Sequence, residues 1–160
     1  MTYSKYPDQP PSKHFSWAEA ELTNHRNLNN RIPVEIWPGI LYSAIGMESI
    51  RTVLNAFPIT VSSWYRCLEL NRAIGSKDTS QHIQGLAIDW ICPSFGIPYH
   101  CVLACIEQRD WINFDQLILE RGWIHTSFTI PSIKPRNQVL TLLSNGTYAP
   151  GVTDMDGNSL

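Results

Sequence analysis

An aspartate stands in the middle of a run that otherwise reads as a buried strand, Leu86-Ala87-Ile88-Asp89-Trp90-Ile91-Cys92. A carboxylate taken out of water there is costly unless it is hydrogen-bonded, paired with a cation or bound to a metal, so the rest of the chain has to supply a partner. His82, seven residues upstream in the adjoining polar loop, is a suitable metal-binding neighbour. The alternative is an arginine or a loop amide bonded to Asp89, with His82 merely exposed. The two residues alone leave both open.

A third candidate comes from a hairpin. Residues 114–120 and 123–129 read as two strands joined at Arg121-Gly122. A two-residue turn there pairs Glu120 with Trp123, Leu119 with Ile124 and Ile118 with His125. Opposed residues share a face, which puts Leu117, Leu119, Ile124, Thr126 and Phe128 on a core face. The other face carries Gln116, Ile118, Glu120, Trp123, His125 and Ser127. Glu120 and His125 are then diagonal neighbours, roughly 7 Å or somewhat less apart at Cβ, which suits a metal ligand beside a general base. Asp115 points the other way; a three-residue turn would reverse the choice. Two imidazoles and one carboxylate are a sensible set for Zn²⁺, leaving a fourth position open for chemistry.

The chain has 160 residues, of which 43% are hydrophobic and 16% charged, enough for one domain with a real core. A net charge of -2, with no run of Lys and Arg, gives no electrostatic footprint for nucleic acid. No segment is apolar enough to span a bilayer, and the polar, proline-rich first residues lack the apolar core of a secretory signal, so membrane insertion is not expected and synthesis in the cytoplasm is. A monomer is expected. Cys67, Cys92, Cys101 and Cys105 are expected to remain thiols. Cys101 and Cys105, with His100, could suggest a second metal site, but their i, i+4 spacing in an apolar helical stretch reads as buried small hydrophobes.

Helices are predicted over residues 16–24, with Ser16 and Glu19 as a capping box, and over 37–57, 67–74 (stopping at Gly75) and 98–109. Strands are predicted over 59–66, 86–92, 114–120, 123–129 and 137–143, with Asn145-Gly146 as a turn. Asn145-Gly146-Thr147 also matches a glycosylation sequon but is better read as that turn. The sum is an α+β domain over residues 1–148, helices on a small antiparallel β-sheet, with 149–160 as a flexible tail.

Ser80-Gln81-His82-Ile83-Gln84-Gly85-Leu86-Ala87-Ile88-Asp89 resembles the S-x-H-x-x-G-x-A-x-D signature of the D-Ala-D-Ala zinc carboxypeptidases and phage endolysin peptidases. Ser62-Ser63-Trp64-Tyr65-Arg66 with Asn71 resembles that family's S-G-Y-R...L-N element, and Trp123-Ile124-His125-Thr126-Ser127 its W-x-H-x-S strand. The order and spacing of the blocks agree over about residues 15–148, most closely with the compact phage and prophage branch. The resemblance implies a hedgehog/DD-peptidase-like fold and a Zn²⁺ cofactor on His82, Asp89 and His125. It also implies that Arg66 holds a substrate carboxylate or carbonyl, that Ser80 and Gln116 line the site, and that the substrate is a peptide bond of a bacterial peptidoglycan stem. A holin-type pore would give such an enzyme its route to the wall.

This chain departs from the family at two places. Ser63 stands where Gly is usual, and Gly122 where several relatives carry the catalytic acid. The distantly related hedgehog zinc domain has a Glu in the preceding strand, similar to Glu120. Arg66 at a strand end could instead pair with an acidic side chain, and Trp64 and Trp123 are expected as core packing rather than as a substrate wall. Two rival functions stand beside the peptidase: a zinc-stabilised cell-wall-binding or phage structural module without catalysis, and a cytosolic dipeptidase for D-Ala-D-Ala.

Overall fold

A computed structural model describes all residues 1–160. Helix α1 (Trp17–Ala20) opens on the predicted capping box: the Ser16 hydroxyl accepts from the Glu19 amide, and the Glu19 carboxylate accepts from the Ser16 amide. It spans four residues instead of nine. Helix α2 (Trp37–Val53) starts with Pro38 in its first turn and buries Ile40, Ala44, Met47 and Ile50 on one stripe. It stops before residue 57 because Asn55 and Ala56 turn into left-handed backbone. Then follow β1 (Thr60–Ser63), α3 (Leu68–Ala73), β2 (Ala87–Ile91), α4 (Pro98–Glu107), α5 (Arg109–Ile112), β3 (Gln116–Leu119), β4 (Ile124–Ser127), β5 (Gln138–Leu142) and β6 (Tyr148–Pro150). No helix is long and apolar enough to cross a membrane.

The α+β expectation is borne out. Six strands form one sheet in the order β1-β2-β4-β3-β5-β6. All pairings are antiparallel except β3 with β5, which is parallel because the loop after β4 crosses to the far side of β3 at the Gln116 end, where β4 finishes and β5 begins. The last dozen residues, expected as a loose tail, are tied down instead: β6 pairs with β5, the Thr153 amide donates to the Thr141 hydroxyl, and Thr153 bridges Ser159. Pairing satisfies backbone groups that a free tail would leave to water.

One sheet face, with Val61, Ile88, Trp90, Leu117 and Ile124, packs against α1, α2, α4 and α5 and makes the core. Cys92, Cys101 and Cys105 lie inside it as free thiols, and burial pushes the Cys105 thiol far up, so these cysteines serve as packing. The opposite face carries the cleft described next.

Candidate metal centre

Register decides what lies on the open face. Ser63 pairs with Asp89, Asp89 with His125, His125 with Ile118, and Ile118 with Leu140, so one row of side chains crosses five strands. The β3–β4 hairpin has the two-residue turn and the pairing predicted from parity, and the Glu120 amide donates to the Trp123 carbonyl at 3.0 Å. On β1 a bulge between Val61 and Ser63 puts two residues opposite one of β2. Without it Ser62 would face Asp89, so the bulge sets which side chain lies beside the aspartate and how the chain leaves toward Arg66.

His82 reaches the row from a 3₁₀ turn, Gln81–Gln84, which the polar-loop expectation missed. The Ser80 hydroxyl caps it by accepting from the His82 amide, and Gly85 ends it in left-handed backbone at φ 69°. The buried Trp64 indole donates to the Ser43 hydroxyl at 2.9 Å and to the Gly85 carbonyl at 3.1 Å, clamping the turn against α2. Gly39 of α2 permits this approach, since a Cβ there would lie 2.0 Å from the Gln84 carbonyl oxygen.

Three donors converge at the centre. His82 Nδ1 lies 2.6 Å from the Trp64 carbonyl, so its N–H is donated there and Nε2 turns its lone pair inward. Nε2 is 3.3 Å from His125 Nδ1 and 3.3 Å from Asp89 Oδ1, and His125 Nδ1 is 2.9 Å from Asp89 Oδ1. Ligands bound tetrahedrally at about 2.0–2.1 Å stand about 3.3 Å apart, so two edges of the triangle fit a zinc-sized ion and the third, His125 to Asp89, is at hydrogen-bond length. His82, Asp89 and His125 are the one cluster of metal-ligating groups in the chain.

Asp89 Oδ2 faces away from the histidines and is held by the Arg66 guanidinium, whose Nε donates to the Ser63 hydroxyl at 2.9 Å. The arginine contact of the alternative reading is therefore present on one oxygen, but His82 is buried rather than exposed and faces the other. Burial opposes ionisation of Asp89, but the two imidazoles outweigh it and keep the carboxyl well below the ordinary range. Desolvation lowers the proton affinity of His82, which favours the neutral, ligating form.

Glu120 stands on the same face at the end of β3, half-buried, with no hydrogen-bond partner for its carboxylate. Burial pushes its carboxyl up, and the Asp89 charge adds to the effect. Asp115 is buried on the other side, where Arg136 and Gln81 bond it.

The seven residues singled out from the sequence, Arg66, Ser80, His82, Asp89, Gln116, Glu120 and His125, all line one cleft of about 870 Å³. Trp64 is core, as expected. Trp123 is not: it is 38% exposed and walls the cleft, because its place just after the turn puts it on the His125 face, away from the helices. Lys77, Leu140 and Tyr148 also line the cleft and were not foreseen. Leu140 and Tyr148 arrive through the parallel β5 and its partner β6, a pairing with no local sequence signal.

An exposed cleft floored by two imidazoles and a carboxylate, with a fourth direction open and a second carboxylate alongside, defines the class of metal-dependent hydrolases. Residues 13–127, more than two thirds of the chain, match the family described as Peptidase M15, and the protein belongs to that family. No curated protein matches the chain. All seven predicted site residues fall inside the matched segment, whereas β5 and β6 lie beyond it.

Proposed function

We propose that this peptidase is a zinc enzyme that hydrolyses a peptide bond in bacterial peptidoglycan stem peptides, as a D-Ala-D-Ala carboxypeptidase or an endolysin-type endopeptidase. The observation that carries the reading is the convergence of His82 Nε2, Asp89 Oδ1 and His125 Nδ1 on one point, beside an unpaired Glu120 on the same sheet face. His82, Asp89 and His125 would hold Zn²⁺, which when bound supplies the Lewis acidity that brings a water's pKa to about 7 and draws charge from a carbonyl.

Glu120 takes a proton from the attacking water as its oxygen bonds to the carbonyl carbon. It returns that proton to the amine nitrogen as the C–N bond breaks. Its raised proton affinity makes it a stronger base toward the attacking water than a carboxylate of ordinary acidity would be. The guanidinium of Arg66 engages Asp89 through Nη2 and Ser63 through Nε, so its Nη1 edge is the part left for a substrate carbonyl. Ser80 and Gln116 offer polar groups to the peptide backbone along the same wall. A non-catalytic module would have no use for a half-buried carboxylate without a partner beside the metal ligands, which favours the enzyme over that rival.

The test is metal analysis together with mass spectrometry of digested peptidoglycan. One zinc per chain is expected, with new peptide termini in the digest. Glu120→Gln should retain the metal while turnover falls by about 10²–10⁴-fold. Full activity of that variant would remove Glu120 from the mechanism, and wild-type protein that leaves every stem peptide uncut would end the peptidase assignment to this substrate class.

A further inference from the structure

The cleft has two chemically different ends. Along the strands, Gln116 pairs with Ser127 and Gln138 at one end, and the 76–81 loop and Arg136 gather there. At the other end, beyond Leu119, stand Glu120 and Trp123, and beside them Tyr148, whose partner Leu142 follows Thr141, the neighbour of Leu119. The metal ligands lie between a polar, cationic end and an aromatic one.

Three cations line the cleft, and two are already neutralised. Arg66 is bound to Asp89, and Arg136 to Asp115 through Nε and Nη2. Lys77 alone has no partner. Its sequence neighbour Asp78 would be the natural one, but Arg72 occupies both Asp78 oxygens, at 2.6 to 3.2 Å. The lysine is presented on a fixed loop: buried Asn71 donates through Nδ2 to the Ser76 and Lys77 carbonyls, at 3.2 and 2.9 Å, and the Ser80 amide donates to the same Lys77 carbonyl at 3.0 Å. An uncompensated ammonium on a pinned loop over a cleft is a docking point for an anionic group.

We infer that Lys77 is a specificity residue that binds a free carboxylate of the peptide on the acyl side of the scissile bond. The proposal rests on the peptidase reading. The departing nitrogen must come within reach of Glu120, which lies at the aromatic end, so the amine half leaves past Trp123 and Tyr148 and the acyl half runs toward Lys77. An acidic residue whose carboxylate stays free within the stem peptide fits that end. The C-terminal carboxylate of the leaving residue does not.

The experiment uses zinc-loaded full-length protein and four synthetic stem peptides, free or amidated at an acyl-side carboxylate and free or amidated at the C-terminus. For the wild type, amidation on the acyl side should raise KM about fivefold, the effect of losing one partly exposed ion pair, while C-terminal amidation changes it little. Lys77→Met should erase the acyl-side difference with kcat and zinc content unchanged, and Lys77→Arg should restore it. The proposal is overturned if the acyl-side preference survives in Lys77→Met, or if Lys77→Met abolishes a preference for the free C-terminus instead. If the wild type cuts none of the four, the peptidase reading fails separately. Fluorescence anisotropy of the labelled, uncut peptides on wild type and Lys77→Met then decides the lysine's role by the same comparison.

Discussion

Asp89 uses its two oxygens for different tasks, and that division makes the centre rigid. Oδ1 faces the histidines while Oδ2 is held by Arg66, so the carboxylate cannot rotate without breaking a charge-assisted bond. Arg66→Met should therefore weaken zinc binding by about 10–100-fold, the usual cost of losing a group that orients a ligand, as measured by competition with a chelator. Unchanged metal affinity would mean that Arg66 serves the substrate alone. Arg66→Lys keeps the charge but not the planar fork that spans Ser63 and Asp89, and should fall between. That Asp89 needed a partner was legible from its position in an apolar run. Which cation would take its second oxygen was not, because residues 66 and 89 meet only through the bulged pairing of β1 with β2.

Among the elements, the β3–β4 hairpin was the most legible, since side-chain direction in a strand alternates strictly and a two-residue turn sets the register. That local rule was enough to choose Glu120 over Asp115. The 3₁₀ turn carrying His82 was not legible, because its shape comes from packing on α2. Gly39 tests this directly. Alanine is the better helix former by about 1 kcal/mol. A methyl group 2.0 Å from a backbone carbonyl, however, forces the turn or the helix to move, at about 1–3 kcal/mol or more. Gly39→Ala should thus lower the urea midpoint and also weaken zinc binding, because the displaced segment includes His82. A stabilised variant with normal metal affinity would show that the contact relaxes freely.

At the scale of the whole molecule, the centre joins segments far apart in the chain, so ligand binding and global stability are coupled. Zinc at about 100 times its dissociation constant should add about 2.7 kcal/mol, if the unfolded chain binds none. For a chain of this size that is a rise of about 5–10 °C in Tm over protein stripped with a chelator, readable by calorimetry or circular dichroism. A chelator-independent Tm would argue against a bound structural or catalytic ion. The donors, their order along the chain and the face of the hairpin they occupy were determined by the sequence itself, because residue chemistry and strand alternation act over a few neighbours. The parallel seating of β5, the aromatic wall built from Trp123 and Tyr148, and the pairing that consumes two cationic side chains while sparing Lys77 were decided only by tertiary structure. They depend on which distant segments meet, and no short stretch of residues encodes that.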